Sequence, residues 1–176
     1  MVEWTTFDGN INNLPLKIEI ALKQFIIKYL SRLYVLHNLY IKHKYYLKKK
    51  SYSDSGEDLY ILDNFDKEGF YVDVGCHHPT RFNNCHLLYL NGWQGVNIDP
   101  SEISIKLFDF ARKKDTNLCY AISLRSGMVD FYYDKPLSLY SSMIKNKDLK
   151  NKKLIKSDTL TKILDKTKFK NKYIDF

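Results

Sequence analysis

Beyond the polar stretch 51–55, the sequence alternates short apolar runs with segments that have the spacing of amphipathic helices. The run at 70–74, entered from Gly69, has the length and composition of a buried strand. Such alternation is typical of βαβ units around a parallel sheet with helices on its faces. We therefore predict an α/β domain at residues 51–176, preceded by a separate helical segment at residues 1–50.

Each element of this domain is predicted by its apolar spacing and by the residues at its ends. The predicted elements are strands at 70–74, 94–99, 117–123 and 128–134, helices at 84–91, 101–114 and 159–166, a polar loop from 134 to 156, and the opening of a further strand at 173–176. Because this last strand only begins, we expect a sheet that is incomplete on its C-terminal side. Its open edge would favour an oligomer in which a second chain covers it.

The segment before the domain is basic and amphipathic. Its apolar residues between 15 and 47 recur mostly at steps of three and four, which predicts one long helix or two. Glu19 is the single acid of this stretch, and a run of three lysines at 48–50 follows it. A basic amphipathic helix can lie on an anionic membrane surface, and it can equally pack against its own domain or a partner chain. The sequence leaves both interpretations open.

Charge and cysteine content narrow the function classes. The chain has 28 Lys and Arg against 20 Asp and Glu, and its net charge of +8 favours acidic partners. No nucleic-acid recognition motif accompanies this charge, so we expect no nucleic-acid partner. The three cysteines lack the number and spacing of a disulfide framework or a zinc site, which predicts a reduced, cytoplasmic setting and no metal. The sequence also lacks the uninterrupted run of about 18 apolar residues that a membrane span needs.

The turn after the first strand has the features of a cofactor site. Gly75 follows that strand, and the lack of a Cβ atom lets its backbone approach a ligand closely. The next strand ends in Asp99, followed by Pro100. Nucleotide-binding α/β folds place an acid at this point to accept hydrogen bonds from ribose hydroxyls. The two strand ends therefore predict a site for a ligand that contains ribose.

The turn after the first strand lacks the later glycines of a dinucleotide-binding turn, and this narrows the kinds of ribose ligand that fit it. His77 and Thr80 stand where the later glycines of a G-x-G-x-x-G turn would contact a diphosphate, which disfavours a dinucleotide. S-adenosylmethionine contains ribose and adenine but no phosphate, so it suits this turn better than NAD does. Its adenine is expected near the end of the third strand, at Ala121, Ile122 and Ser123.

Four stretches of the sequence, in the same order, resemble those of the FkbM-type methyltransferases. Residues 69–79 are similar to the strand–turn–helix stretch of that family, and 92–100 to its Gly-Trp-x-Gly-x-x-Ile-Asp-Pro sequence. Residues 53–58 are similar to its Ser-Gln-x-Gly-Glu-Asp lead-in, and 81–85 to its Ser-Asn-Thr segment. The resemblance covers residues 52–176 and leaves the N-terminal helix outside.

The resemblance implies a class I, Rossmann-like methyltransferase fold with S-adenosylmethionine as its cofactor. The implied reaction is methyl transfer to a hydroxyl of a sugar, such as a glycan, or of another small-molecule acceptor. The cofactor-binding residues that it implies before the third strand are Glu57, Asp73, Gly75, Cys76, His77, Asp99 and Pro100. Among them, the turn around Gly75 would line the methionine part of the cofactor and Asp99 would bind the ribose. The resemblance assigns no catalytic residue.

The family also suggests an alternative to an active enzyme. In its members, a sequence like residues 173–176 continues into an acidic Asp-x-Glu-Gly stretch near the acceptor, and this chain ends before that stretch. We therefore expect either a methyltransferase or a truncated, non-catalytic module that binds the cofactor or a partner.

Overall fold

A computed structural model describes Ile18, Phe25 and residues 29–65 and 68–176, so most of the predicted helix before residue 29 lies outside the described residues. The elements, in chain order, are a helix at 29–36, a π-helix at His37–Lys42, a 3-10 helix at Lys44–Leu47, α1 (Glu57–Asn64), β1 (Phe70–Val74), α2 (His86–Leu90), β2 (Gln94–Ile98), α3 (Glu102–Ala111), β3 (Thr116–Leu118), β4 (Ala121–Ile122), β5 (Gly127–Tyr133), β6 (Ser141–Ser142), β7 (Asn151–Asp158) and α4 (Leu160–Leu164). The fold is α/β, with a three-stranded parallel sheet and a four-stranded mixed sheet.

The parallel sheet has the strand order β1-β2-β3, and its first two strands are the first two that the sequence predicts. These two strands approach closely at Gly95, where an added Cβ atom would lie 2.5 Å from the carbonyl oxygen of Tyr71. This contact requires glycine in β2. One face of the sheet packs against α4 in a cluster that includes Phe70, Val96 and Ile163.

The end of the chain runs along the outer edge of β1, on the side opposite β2. The N–H of Val72 donates to the carbonyl oxygen of Phe176 at 2.9 Å, and the N–H of Phe176 donates to that of Phe70 at 3.4 Å. These two bonds form the pattern of a parallel pair. The Asp175 side chain adds a third bond by accepting from the N–H of Phe70 at 2.8 Å. The predicted opening of a strand at 173–176 therefore lies next to β1.

The mixed sheet has the order β4-β7-β5-β6, with β7 parallel to β4 and antiparallel to β5. The single strand predicted at 117–123 is divided in the structure. Its first part, β3, completes the parallel sheet, whereas its second part, β4, begins the mixed sheet. Ala121, Phe131 and Ile155 bring β4, β5 and β7 together in one buried cluster.

The prediction of a polar loop from 134 to 156 is wrong over its last part, because β7 forms there. This strand contains three lysines, and it was not predicted because β-strands are usually recognised in a sequence by their apolar content. Its burial nevertheless alternates, with Ile155 and Ser157 buried and Leu154 and Lys156 exposed. Seven residue pairs with β5 supply the backbone hydrogen bonds that fix this strand.

The helical region at 29–47 packs against its own domain along one side. Val35 and Leu39 are buried against Leu107 of α3, and the ring of Tyr40 meets that of Phe110 edge-on at 6.3 Å. Within the part of the chain that the structure describes, none of the helices has the length and apolar character that a bilayer crossing requires.

Candidate functional site

A cleft of about 740 Å³ opens where β1, β2 and β4 end. One wall is formed by the turn after β1 and the beginning of α3. The other wall is formed by β5, by the segment 135–143 and by Lys153 of β7. Ligands of open α/β sheets bind outside the carboxyl ends of parallel strands. The cleft is therefore the candidate functional site.

Asp99 lies at the bottom of this cleft, directly after β2, and is 7% exposed. Its Oδ2 accepts a hydrogen bond from the N–H of His77 at 2.9 Å, and its Oδ1 accepts one from the N–H of Ser101 at 2.7 Å. Burial raises the pKa of Asp99 above its ordinary value, and these two bonds oppose that rise. Each oxygen of an ionised carboxylate can accept a further bond, so Asp99 can also bind ligand hydroxyls.

The turn after β1 is fixed by its backbone. Gly75 has a φ of 77°, a left-handed conformation that favours glycine, and an added Cβ atom would meet nothing within 4 Å. Its N–H donates to the carbonyl oxygen of Ile98 at 2.8 Å. Two residues further, the hydroxyl of Ser104 in α3 donates to the carbonyl oxygen of His77. Bonds from β2 and α3 therefore hold the turn in place and leave open space beside Gly75.

The imidazole of His77 also lines the cleft, and its Nε2 is buried without a hydrogen-bond partner among the described residues. Burial, together with the charges of Arg81 and His43, lowers the pKa of His77 to about 4. At neutral pH the ring is therefore uncharged.

Asn83 supports the turn from behind. Its Nδ2 donates to Oδ2 of Asp73 at 3.0 Å and to the carbonyl oxygen of Cys76 at 3.2 Å. The guanidinium of Arg112 donates to the carbonyl oxygen of Pro79 at 2.6 Å and to the Asn83 side chain. Burial raises the pKa of Asp73, and the positive charge of Arg112 opposes that rise. Asn83 therefore links Asp73 to the main chain of the turn.

Arg112 is itself wholly buried and belongs to a polar network beneath the parallel sheet. Its Nη1 donates to the hydroxyl of Tyr71 at 3.1 Å, and that hydroxyl donates to the carboxylate of Asp115. Asp115 also accepts the N–H of Gly95 at 2.9 Å. Burial raises the pKa of Tyr71 well above its ordinary value, so its hydroxyl keeps its proton. The sequence analysis missed this network, because Arg112 and Asp115 stand in the polar sequence Arg-Lys-Lys-Asp at the end of a helix.

The opposite wall of the cleft is aromatic and cationic. The rings of Phe131 and Tyr133 stack with their centroids 6.1 Å apart, and Tyr120 lines the same cleft. The ammonium of Lys153 lies 5.9 Å from the first of these two centroids and 6.0 Å from the second. Its charge favours the ionised form of Asp99. The cleft thus places a carboxylate on one wall, and aromatic rings with an ammonium group on the other.

The structure brings six of the ten predicted cofactor residues together in this cleft. These six are Gly75, His77, Asp99, Pro100, Ala121 and Ile122. The other four do not line it. Glu57 is exposed on the first turn of α1, and Asp73 and Cys76 lie behind the turn. Ser123 follows β4, where its N–H donates to the carbonyl oxygen of Asp158 at 3.0 Å.

The residues of the aromatic wall were missed by the sequence analysis. A signal for two of them was present, because Phe131 and Tyr133 alternate within the predicted strand 128–134 and therefore share one face. Lys153 had no such signal, since the strand that carries it was predicted as a loop.

The histidine and cysteine side chains near the cleft are candidates for metal ligands or for a reactive thiol. Among the described residues, no group of three or more His, Cys, Asp or Glu side chains is placed to hold a metal ion. Nδ1 of the buried His78 accepts hydrogen bonds from the N–H groups of Thr80 and Arg81 at 3.2 and 3.1 Å. This nitrogen therefore stabilises the backbone of the following loop. Burial raises the pKa of Cys76 well above its ordinary value and keeps its thiol protonated.

Comparisons of this chain with protein-family models, with curated proteins and with solved structures gave no match. The fold is established as α/β by its two sheets.

Proposed function

We propose that this chain is an S-adenosylmethionine-dependent methyltransferase of the FkbM type that its sequence resembles, with a class I fold and with the cleft as its cofactor site. The observation that carries the proposal is the position of Asp99. This acid follows β2, faces the cleft, and is tied to the turn after β1 by a hydrogen bond from His77. A ribose-binding acid is expected at this place in a nucleotide-binding α/β fold.

The strand order gives a second line of support. The chain end is hydrogen-bonded to β1 on the side away from β2, so β1 has backbone neighbours on both sides. According to the resemblance, residues 173–176 correspond to the opening of the family's fourth strand. The same arrangement puts the turn after β1 at the centre of the carboxyl edge.

The chemistry of the cleft fits the cofactor. The Asp99 carboxylate retains acceptor positions for two neighbouring ribose hydroxyls. The space beside Gly75 would admit the methionine part, and a side chain at that position would occupy it. The rings of Tyr120, Phe131 and Tyr133 offer flat apolar surfaces to an adenine, close to the predicted strand end at 121–122.

A phosphate-containing cofactor fits less well. Phosphate groups bind at helix N-termini, where backbone N–H groups are free and the helix dipole favours negative charge. At the N-terminus of α3, the Ser101 side chain already accepts from the N–H of Ser104, and the carboxyl groups of Asp99 and Glu102 lie nearby. Two acids at this position would repel a phosphate.

In this proposal the chain's residues bind and align, and the bound cofactor supplies a methyl group on a sulfonium for attack by an acceptor hydroxyl. Asp99 would fix the ribose, and the neutral imidazole of His77 would border the site without adding positive charge. The segment 135–143 would border the acceptor, a sugar or another small hydroxyl compound. Ser141 and Ser142 lie in this part of the cleft and can bind hydroxyl groups.

Isothermal titration calorimetry of the full chain with S-adenosylmethionine tests the proposal. We expect binding that Asp99→Ala abolishes and that Asp63→Ala, an exposed acid of α1, leaves unchanged. Circular dichroism of each variant would show that the fold is retained. If the wild-type chain binds neither S-adenosylmethionine nor S-adenosylhomocysteine, or binds NAD more tightly, the proposal is wrong.

A methyl-transfer assay separates the enzyme from the non-catalytic alternative. Radiolabelled S-adenosylmethionine and a panel of mono- and oligosaccharides would show incorporation into an acceptor if the chain is active. Cofactor binding without transfer to any acceptor would instead support a cofactor-binding module.

A further inference from the structure

The helical region at 29–47 exposes a second side that does not pack against the domain. Its exposed apolar residues are Leu30, Leu33, Tyr34, Ile41, Tyr45 and Leu47, and Phe82 of the neighbouring loop lies beside them. Two of them, Ile41 and Tyr45, are 63% and 72% exposed, which is far more than a core position allows. We call these residues, with the cations that surround them, the basic aromatic surface.

The charge of this surface has one sign. Residues 29–50 contain no Asp or Glu, and their cations are Arg32, Lys42, Lys44, Lys48, Lys49 and Lys50. The three lysines at 48–50 follow directly on the exposed apolar residues. A surface with this composition attracts polyanions and repels a copy of itself.

The surface continues from the helical region onto the α/β domain. The ring of Tyr46 meets that of Phe82 edge-on at 5.7 Å, and the Lys49 ammonium lies 4.5 Å from the Tyr45 ring and 4.7 Å from the Tyr46 ring. The Arg81 guanidinium lies 4.9 Å from the Phe82 ring. The contact between Tyr46 and Phe82 ties the helical region to the loop that follows the cleft turn. The surface is therefore part of the folded domain.

We propose that the basic aromatic surface docks on the anionic headgroup surface of a lipid bilayer. Tyrosine rings and lysine stems are suited to the membrane interface, because each has an apolar body and a polar end. Exposed aliphatic side chains such as Leu33 and Ile41 gain free energy by entering the acyl boundary, while the lysines pair with anionic headgroups.

Other occupants fit this surface less well. A second copy of the chain would bring two acid-free cationic surfaces together. Single-stranded nucleic acid stacks its bases on aromatic rings, but it gains little from exposed leucine and isoleucine. Nucleic-acid sites also favour arginine, whereas five of the six cations at 29–50 are lysine. Bilayer binding uses both the aliphatic residues and the lysines.

Sedimentation of the full chain with lipid vesicles tests this proposal without any cofactor. We expect partitioning onto vesicles that contain phosphatidylserine, little partitioning onto phosphatidylcholine alone, and release at high salt. The triple change Lys48→Gln, Lys49→Gln and Lys50→Gln should lower the partition coefficient by about 100-fold, because each lysine near an anionic surface contributes about fivefold. As a matched control, Lys145→Gln, Lys147→Gln and Lys150→Gln remove the same charge from an exposed loop. The partition coefficient of this control variant should fall by less than about fivefold.

The apolar part of the surface needs its own variant. Leu33→Gln with Ile41→Gln should lower partitioning by about tenfold or more, because both side chains would lose their burial in the bilayer. Leu124→Gln with Ile144→Gln changes two exposed aliphatic residues elsewhere and should have no effect. Circular dichroism would confirm that all four variants keep their fold.

Four results would overturn the proposal. They are equal binding to both vesicle types, equal loss in the two lysine variants, unchanged binding of the Leu33→Gln and Ile41→Gln variant, and tighter binding to an oligonucleotide than to anionic vesicles. A concentration-dependent increase in mass without vesicles, removed by the same apolar variant, would assign the surface to a second copy. None of these outcomes bears on the cofactor titration, so the two proposals can fail separately.

Discussion

The main-chain N–H of His77 donates a 2.9 Å hydrogen bond to Oδ2 of Asp99. This bond joins the turn after β1 to the end of β2, and the N–H of Ser101 occupies the other carboxylate oxygen. The acid that is best placed to hold a ligand is thus also the acid that holds the site together. Substitutions of Asp99 must therefore be judged on stability as well as on binding.

Asp99→Asn should lower the free energy of unfolding by about 1–3 kcal/mol, because one of the two N–H donors would then face an amide NH₂ group. Asp99→Ala leaves both donors without this acceptor and should cost more. Urea denaturation followed by circular dichroism measures both changes. An Asp99→Asn variant as stable as the wild type would show that the carboxylate does not hold the turn.

Gly75→Ala should weaken cofactor binding, with a loss of about 1–2 kcal/mol in stability from its left-handed backbone. Gly56 is a matched control, since it has a φ of 89° and open space for a Cβ atom but does not line the cleft. Gly56→Ala should therefore lose similar stability and keep its affinity for S-adenosylmethionine. If calorimetry shows equal affinity in the two variants, the space beside Gly75 is not part of the cofactor site.

The central strands and their helix were predictable because local signals agree there. The run 70–74 is apolar and bounded by Gly69 and Gly75, and both this strand and β2 form where expected. Ser101, the first residue of the helix predicted at 101–114, caps α3 by accepting from the N–H of Ser104. Each of these features depends on residues that are close in sequence.

The mixed sheet could not be predicted in the same way. β7 is rich in lysine and depends on pairing with β5, whose paired residues lie 18 to 30 positions away in sequence. The split of the strand predicted at 117–123 also depends on β7, because residues 121–122 pair with Ser157 and Asp158 in the second sheet. The cleft wall formed by the turn after β1 and the beginning of α3 was therefore predictable. The opposite wall, which contains Phe131 and Lys153, was not.

Arg112→Met should lower the free energy of unfolding by about 3–5 kcal/mol, because it removes one charge from a buried network and leaves the other charges there uncompensated. The hydroxyl of Tyr71 and the carbonyl oxygen of Pro79 would each lose a donor. Arg32→Met, at an exposed position, is the control and should change stability by no more than about 0.5 kcal/mol. Equal stability of the two variants, measured by urea denaturation, would argue against a structural role for the buried guanidinium.

Stability should fall as the pH falls below about 6.5, in part because His78 is buried in its neutral form. Burial lowers the pKa of His78 to about 3, and the positive charges of His43, His77 and Arg81 act in the same direction. Since the unfolded chain binds a proton at the ordinary histidine pKa and the folded chain does not, this contribution is complete above pH 6.5 and is lost progressively toward pH 3.

The variant His78→Asn isolates this contribution, because Oδ1 of asparagine can accept the N–H bonds of Thr80 and Arg81 without taking up a proton. Its unfolding free energy should depend less steeply on pH between about 4 and 6.5 than that of the wild type. His37→Asn changes an exposed histidine and should keep the wild-type slope. If His78→Asn also keeps that slope, proton uptake by His78 on unfolding is excluded as a cause of the acid sensitivity.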